Sequence, residues 1–166
     1  MPEFTGSPDG TGRRAAVVVS RFNETVTQAL GEGAVATLVE CGVLFDDIDV
    51  VVVPGAWELP TATRALLSTG RYDLCVVVGA VVRGGTPHFE FVAGETSRAI
   101  MQLGTDYEVP IGFGLLTTDT MAQAEARAGG EHGNKGRDAA LAALEMADLL
   151  ARLDALTEET DGETAA

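Results

Sequence analysis

Gly84-Gly85-Thr86-Pro87-His88 is the stretch of this chain best suited to chemistry. It follows an apolar run, Leu74–Val78, and precedes residues 91–103, where Val92, Thr96, Ala99, Ile100 and Leu103 recur at helical spacing. A glycine-rich turn between a strand and a helix start exposes backbone amides that can cradle an anion, and paired glycines let a ligand approach the main chain. Thr86 is placed to cap the helix and Pro87 to occupy its first position. His88 then falls in the first turn, beside any anion held there, and an imidazole serves proton transfer near neutral pH. The plainer reading is a turn that binds nothing and a solvated histidine. Three other segments offer complementary groups. Phe22 and Asn23 supply an aromatic face and an amide, enough to stack on and hydrogen-bond a planar heterocycle, or merely to cover a sheet edge. Trp57 and Glu58 join a flat apolar wall to a carboxylate that can accept from several hydroxyls; alternatively Trp57 packs and Glu58 favours a helix start. Arg127 and Lys135 are the remaining cations of interest. Arg127 sits near a helix end, where a cation is favoured anyway, but Lys135, the chain's single lysine, sits in a first turn where the dipole disfavours it.

These residues need elements to position them. Ala15–Ser20 and Leu74–Val78 read as buried strands, Ile48–Val53 as a second strand in chain order, and Ile111–Leu116 as a fourth that contains Gly112 and Gly114. Helices come after each: from Thr25 with Gly42 as its stop, over Leu59–Ser68 with Pro60 in its first turn, from His88, and a short Ala-rich helix capped by Thr117-Thr118-Asp119 and ending at Gly129-Gly130. Asn134 caps the last helix, where Met146, Leu149, Leu150 and Leu153 share a face. Strand and helix alternate four times, which predicts right-handed crossovers and an α/β fold, a parallel sheet sandwiched between two helical layers. In such sheets ligands bind beyond the carboxyl ends of the strands. The four exit loops, Arg21–Asn23, Pro54–Glu58, Ala80–His88 and Leu116–Thr118, therefore converge on one edge and carry most of the candidate residues.

The bulk numbers limit the classes of function. At 166 residues and 46% hydrophobic, the chain suits one domain, expected over residues 13–154, with a mobile tail at 1–12 and an acidic, disordered tail at 155–166. No run is long enough to span a membrane and no leader pattern opens the chain, so a cytoplasmic protein is expected. Cys41 and Cys75 lie in apolar segments and read as reduced, buried thiols. The net charge of −14 argues against nucleic acid as a partner. It also means that a phosphate site must concentrate its few cations locally. There is no CxxC, HExxH or Walker-type loop, hence no motif for a metal or a nucleotide.

Five motifs, in order and spacing, resemble the lumazine synthase family: Arg21-Phe22-Asn23, Val53-Pro54-Gly55-Ala56-Trp57-Glu58-Leu59-Pro60, residues 79–89 (GAVVRGGTPHF), Phe113-Gly114-Leu115-Leu116-Thr117-Thr118-Asp119, and Gly133-Asn134-Lys135-Gly136. The likeness spans about residues 15–150. It implies a flavodoxin-like strand order, 2-1-3-4. It also implies a transferase of riboflavin biosynthesis that condenses 5-amino-6-(D-ribitylamino)uracil with 3,4-dihydroxy-2-butanone 4-phosphate to 6,7-dimethyl-8-(D-ribityl)lumazine, phosphate and water, with no cofactor or metal. In the roles it implies, Phe22 stacks on the pyrimidine, while Asn23 and Gly55-Ala56-Trp57-Glu58 hold the ribityl chain. Ala80, Val81 and Val82 meet the pyrimidine edge through their backbone, and Phe113 and Lys135 complete that pocket. Gly85, Thr86 and Arg127 bind the phosphate, and His88 is catalytic, moving protons. Two positions depart from the family pattern: Gly85, where an acidic or other small residue is frequent, and Trp57, where Phe is common. Neither removes a reacting group.

The resemblance further implies a homopentamer with active sites between subunits, Phe113, Arg127 and Lys135 coming from one chain and the other residues from the next. The short link Ala128–Asn134 between the last two helices favours a 60-subunit shell, with which riboflavin synthase could associate. The competing readings are a flavin- or lumazine-binding module without catalysis, a shell scaffold that has lost its chemistry, and a sugar-phosphate isomerase, which would need a carboxylate or thiol base beside His88 that no loop clearly offers.

Overall fold

A computed structural model describes residues 1–164. The chain forms β1 (Ala15–Ser20), α1 (Glu24–Glu40), β2 (Ile48–Val53), α2 (Leu59–Leu67), β3 (Leu74–Val82), α3 (His88–Tyr107), β4 (Ile111–Thr118), α4 (Met121–Ala126), β5 (Ala128–Gly130), β6 (Gly133–Asn134) and α5 (Lys135–Thr164). Strands β1 to β4 make one parallel sheet in the order β2-β1-β3-β4, the topology expected. Side chains alternate between its faces. Val17, Val19, Val76 and Val78 pack with Leu30 and Leu38 of α1 and Leu144 of α5. Ala16, Val18, Cys75 and Val77 pack with Leu59 of α2 and Ile100 of α3. Central strands β1 and β3 thus need apolar residues at successive positions, which is why both read as unbroken Val-rich runs.

Helix ends obey local chemistry. Gly42 terminates α1 at φ +101°, a backbone that glycine adopts without strain, while the Val43 amide reaches back to the Leu38 carbonyl at 3.0 Å. Asn134 caps α5, its Oδ1 accepting from the amides of Gly136 at 2.8 Å and Arg137 at 3.2 Å. Burial pushes the Cys75 thiol up to about 12, so it stays protonated and inert.

Several expectations are corrected. Strand β3 continues beyond Val78 to Val82, because Ala80, Val81 and Val82 find ladder partners in Leu116, Thr117 and Thr118 of an equally extended β4. Those three residues belong to a strand end, and the exit loop begins at Arg83. Thr86 does not cap α3: Pro87 holds that position in a helical conformation, with no side-chain cap. Thr120, rather than Thr117-Thr118-Asp119, caps α4, in a reciprocal pair with Gln123: the Gln123 amide donates to Thr120 Oγ1 and the Thr120 amide to Gln123 Oε1. Between α4 and α5 the chain makes a small antiparallel hairpin, β5-β6, too short and glycine-rich to show a strand pattern. The segment before β1, expected to be mobile, carries specific bonds. Ser7 donates its amide (2.8 Å) and hydroxyl (3.1 Å) to Asp148 Oδ2 on α5, and the Gly10 amide donates to the Cys41 carbonyl at 2.8 Å. The Ser7 amide, foremost, holds the Asp148 carboxyl below the usual carboxylate range. Helix α5 runs through Thr164, across the region where an acidic disordered tail is expected; Ala165 and Ala166 of that tail lie outside the described residues. Among the described residues no helix is long and apolar enough to cross a membrane.

Candidate active site

The carboxyl ends of β1, β2 and β3 surround a cavity of about 320 Å³, lined by Phe22, Asn23, Gly55, Ala56, Trp57, Ala80, Val81, Val82, Gly84, Thr86, His88, Phe89 and Val92. Ten of the predicted residues meet there, from segments far apart in sequence. The parallel register explains this: Ser20 lies opposite Val53 and Val19 opposite Val78, β1 and β2 end at that level and β3 runs only to Val82, so the chain leaves all three strands at the same edge of the sheet.

Asn23 is fixed more firmly than an ordinary loop residue. Its backbone is left-handed at φ +62°, unusual for a residue with a side chain, and its Nδ2 donates to the Ala80 carbonyl at 3.0 Å. That bond ties the first loop to β3 and leaves the amide oxygen without a hydrogen bond among the described residues. The second loop is held from α3, where the buried Thr96 hydroxyl donates to the Ala56 carbonyl at 3.3 Å. Ala56–Glu58 form a single tight turn before α2. Trp57 remains 58% exposed and Phe22 70% exposed. Two large aromatic side chains thus stay open to solvent beside the cavity instead of packing into the core. Glu58 does not line the cavity; its carboxylate lies over Gly55, where an added Cβ would come 3.2 Å from Oε2.

The glycine turn is open. Nothing lies within 4 Å of where a Cβ would project from Gly84 or Gly85. The amides of Gly84, Gly85 and Thr86 make no hydrogen bond among the described residues, and Pro87 provides no side-chain cap to the helix behind them. These unpartnered donors stand just before a twenty-residue helix, the arrangement that an anion cradle would require. His88, the first residue of α3, is exposed and borders both the cradle and the cavity.

Phe113, Lys135 and Arg127 are not in this cavity. Phe113 and Lys135 line a second one, about 960 Å³, between the edge strand β4 and α5. Lys135 Nζ pairs with Asp138 Oδ2 at 2.6 Å. Arg127 comes directly after α4, its Nη1 donating to the Gln123 carbonyl at 2.9 Å. The hairpin brings the chain back so that the Lys135 amide donates to the Arg127 carbonyl at 2.8 Å, joining the two residues through their backbones. Most of the predicted residues thus fall into two groups on one chain, one around each cavity, while Glu58, Gly85 and Arg127 line neither. Phe89 and Val92 of the first cavity are not singled out as site residues by the sequence, although Val92 lies on the row that defines the helix.

Comparison with known proteins bears on this arrangement. Residues 12–151 match the family model described as 6,7-dimethyl-8-ribityllumazine synthase. A relative carrying that name from Gemmatimonas aurantiaca is 63% identical over 164 residues, covering 98% of this chain and all of its own. One with the same name from Chlorobaculum tepidum is 47% identical over 153 residues, covering 92% of this chain and 99% of its own. With the sheet order, the cavity and the matched span in agreement, the chain belongs to the 6,7-dimethyl-8-ribityllumazine synthase family.

Proposed function

We propose that this protein condenses 5-amino-6-(D-ribitylamino)uracil with 3,4-dihydroxy-2-butanone 4-phosphate, forming 6,7-dimethyl-8-(D-ribityl)lumazine with release of phosphate and water. The observation that carries the reading is the cavity in which Phe22, Asn23, Trp57, the open glycine turn and His88 converge. Phe22 stacks on the pyrimidine, and the strand-end backbone of Ala80, Val81 and Val82 reads its edge. Asn23 Oδ1 and the Gly55–Glu58 turn take the ribityl hydroxyls. The free amides of Gly85 and Thr86 receive the phosphate. An aromatic amine and a ketone react slowly without help, so holding them together and moving protons accounts for most of the required acceleration. His88 carries protons in imine formation, phosphate elimination and ring closure. Departure of the phosphate builds negative charge, which amides and a guanidinium stabilise.

That guanidinium comes from Arg127 of a second copy, with Phe113 and Lys135 beside it. Two features support a shared site. The half-sites are separate within one chain. The sheet also leaves different apolar surfaces at its two edges: a groove of about 690 Å³ along β2 and α1, with Val52 60% exposed, and the β4–α5 cavity, with Phe113 48% exposed. Unlike surfaces on opposite edges suit head-to-tail pairing, which forms a ring where the rotation between neighbours closes; we propose that it closes as the pentamer the family resemblance implies. Mixing His88→Ala with Arg127→Ala subunits tests it. Each variant alone should be nearly inactive, and the mixed ring should recover about one quarter of wild-type activity, because that fraction of neighbour pairs unites an intact half-site from each. Recovery no greater than the sum of the separate variants would overturn the shared site. A binding module without catalysis would show no lumazine formation above the uncatalysed rate in any sample.

The hairpin link between α4 and α5 carries no insertion, and on this ground we extend the proposal to a 60-subunit shell, with riboflavin synthase as an associated partner. At −14 per chain such a shell repels itself, and salt screens that repulsion. Light scattering from about 10 mM to about 1 M ionic strength should show larger particles at higher salt. A particle of one size throughout would count against it.

A further inference from the structure

Arg83 stands at the junction of three segments and lies outside both half-sites. Its amide donates to the Thr118 carbonyl at 2.8 Å, closing the β3–β4 ladder. Its Nε donates to Asp119 Oδ1 at 2.8 Å, in the exit from β4. Its Nη1 donates to Glu90 Oε1 at 2.6 Å, in the first turn of α3. The guanidinium carbon lies 4.2 Å from the centroid of Phe89, the ring that lines the cavity next to His88. An arginine flanking two glycines and a helix start invites a role as a phosphate ligand. Here its Nε and Nη1 engage two carboxylates, and the trio carries a net negative charge, so it adds no attraction for an anion.

We propose that Arg83 is a positioning residue that fixes the open turn, Gly84–Pro87, against α3 and β4, so that the turn's amides and His88 converge on one phosphate. This rests on reading that turn as the phosphate site. The turn supplies little rigidity of its own: a side chain at either glycine would project into open space, and the amides of Gly84, Gly85 and Thr86 are unbonded among the described residues. One exposed ion pair would hold little. A planar fork that engages two acids from two elements while stacking on a ring restrains far more, and a lysine cannot reproduce that geometry. Small displacements of a binding group from its productive place lower its contribution steeply.

The test measures steady-state kinetics with each substrate varied, and binding of inorganic phosphate by calorimetry, for wild type, Arg83→Lys, Arg83→Gln and Asp119→Asn. Both Arg83 variants should weaken phosphate binding and raise KM for the butanone phosphate by about tenfold, leaving KM for the pyrimidine within about twofold. Asp119→Asn should shift the same two quantities in the same direction by about threefold, although losing a negative charge beside the turn would by itself tighten an anion. It keeps the arginine in place and serves if the Arg83 variants fail to fold. Full rescue by lysine would assign Arg83 a simple charge role and overturn the proposal. So would unchanged phosphate affinity in all variants, equal changes in both KM values, or tighter phosphate binding in Asp119→Asn. A wild-type protein that makes no lumazine would instead remove the functional reading on which this rests, while calorimetry would still report on Arg83.

Discussion

His88→Ala should lower kcat by about a hundredfold or more, with both KM values changed by less than about threefold. The histidine heads α3, beside the open turn and on the rim of the cavity. It is exposed, so its removal breaks no packing and leaves the walls in place. Imine formation, phosphate loss and ring closure each need a proton delivered or removed, and a positioned imidazole contributes about two to four orders of magnitude to such steps. The cradle and the aromatic walls remain in the variant, so part of the acceleration due to proximity survives. Stopped-flow measurement of lumazine chromophore formation would read the difference directly. A variant within about threefold of wild type would remove His88 from the chemistry and shift the burden to positioning alone.

Gly112→Val should destabilise the protein by about 3 kcal/mol or more, lowering the thermal midpoint by roughly 10 °C. Gly112 lies on β4, where α5 crosses the sheet, and a Cβ there would overlap the backbone carbonyl of Ala139. The obstacle is main chain, so no rotamer change relieves it; α5 has to lift off the sheet. Gly136, at the start of α5, makes an equally close approach to the Leu30 carbonyl of α1. These two glycines seat the helix that carries Lys135 beside the strand that carries Phe113, so the lesion should also distort the second half-site. Gly84→Ala provides the contrast, since nothing lies near its added methyl, and its midpoint should stay within about 2 °C of wild type. Differential scanning calorimetry of both variants tests the pair. Equal midpoints for Gly112→Val and wild type would mean that α5 does not press its backbone against β4.

Legibility in the sequence differs from element to element. The Val-rich run at Ala15–Ser20 is β1 with the expected bounds, because a strand buried in a parallel sheet has little room for polar residues; Ile48–Val53 also keeps its bounds as β2, but as an edge strand that leaves Val50 and Val52 exposed. Gly42 and Asn134 end and begin helices as expected, because both act through bonds to residues only a few positions away. The end of β3 is hidden because Gly79-Ala80 looks like a loop in isolation, and only partners on β4 keep it extended. The hairpin between α4 and α5 has no local signature at all, since its two short strands exist by pairing with each other. The bonds from Ser7 to Asp148 span 141 positions and leave no trace in a segment that reads as polar and aperiodic.

Sequence alone determined the alternation of strands and helices, hence the layered sheet, and it determined which residues stand at strand ends with the chemistry to bind a heterocycle, a polyol and a phosphate. Those are matters of residue type and short-range periodicity. Tertiary structure decided which of those residues meet: ten around one cavity, Phe113 and Lys135 around another, Arg127 joined to Lys135 through the backbone of a hairpin, and Arg83 turned onto two acids. Such groupings depend on where a folded sheet stops and which face a helix presents, and both are set by contacts between segments distant in sequence.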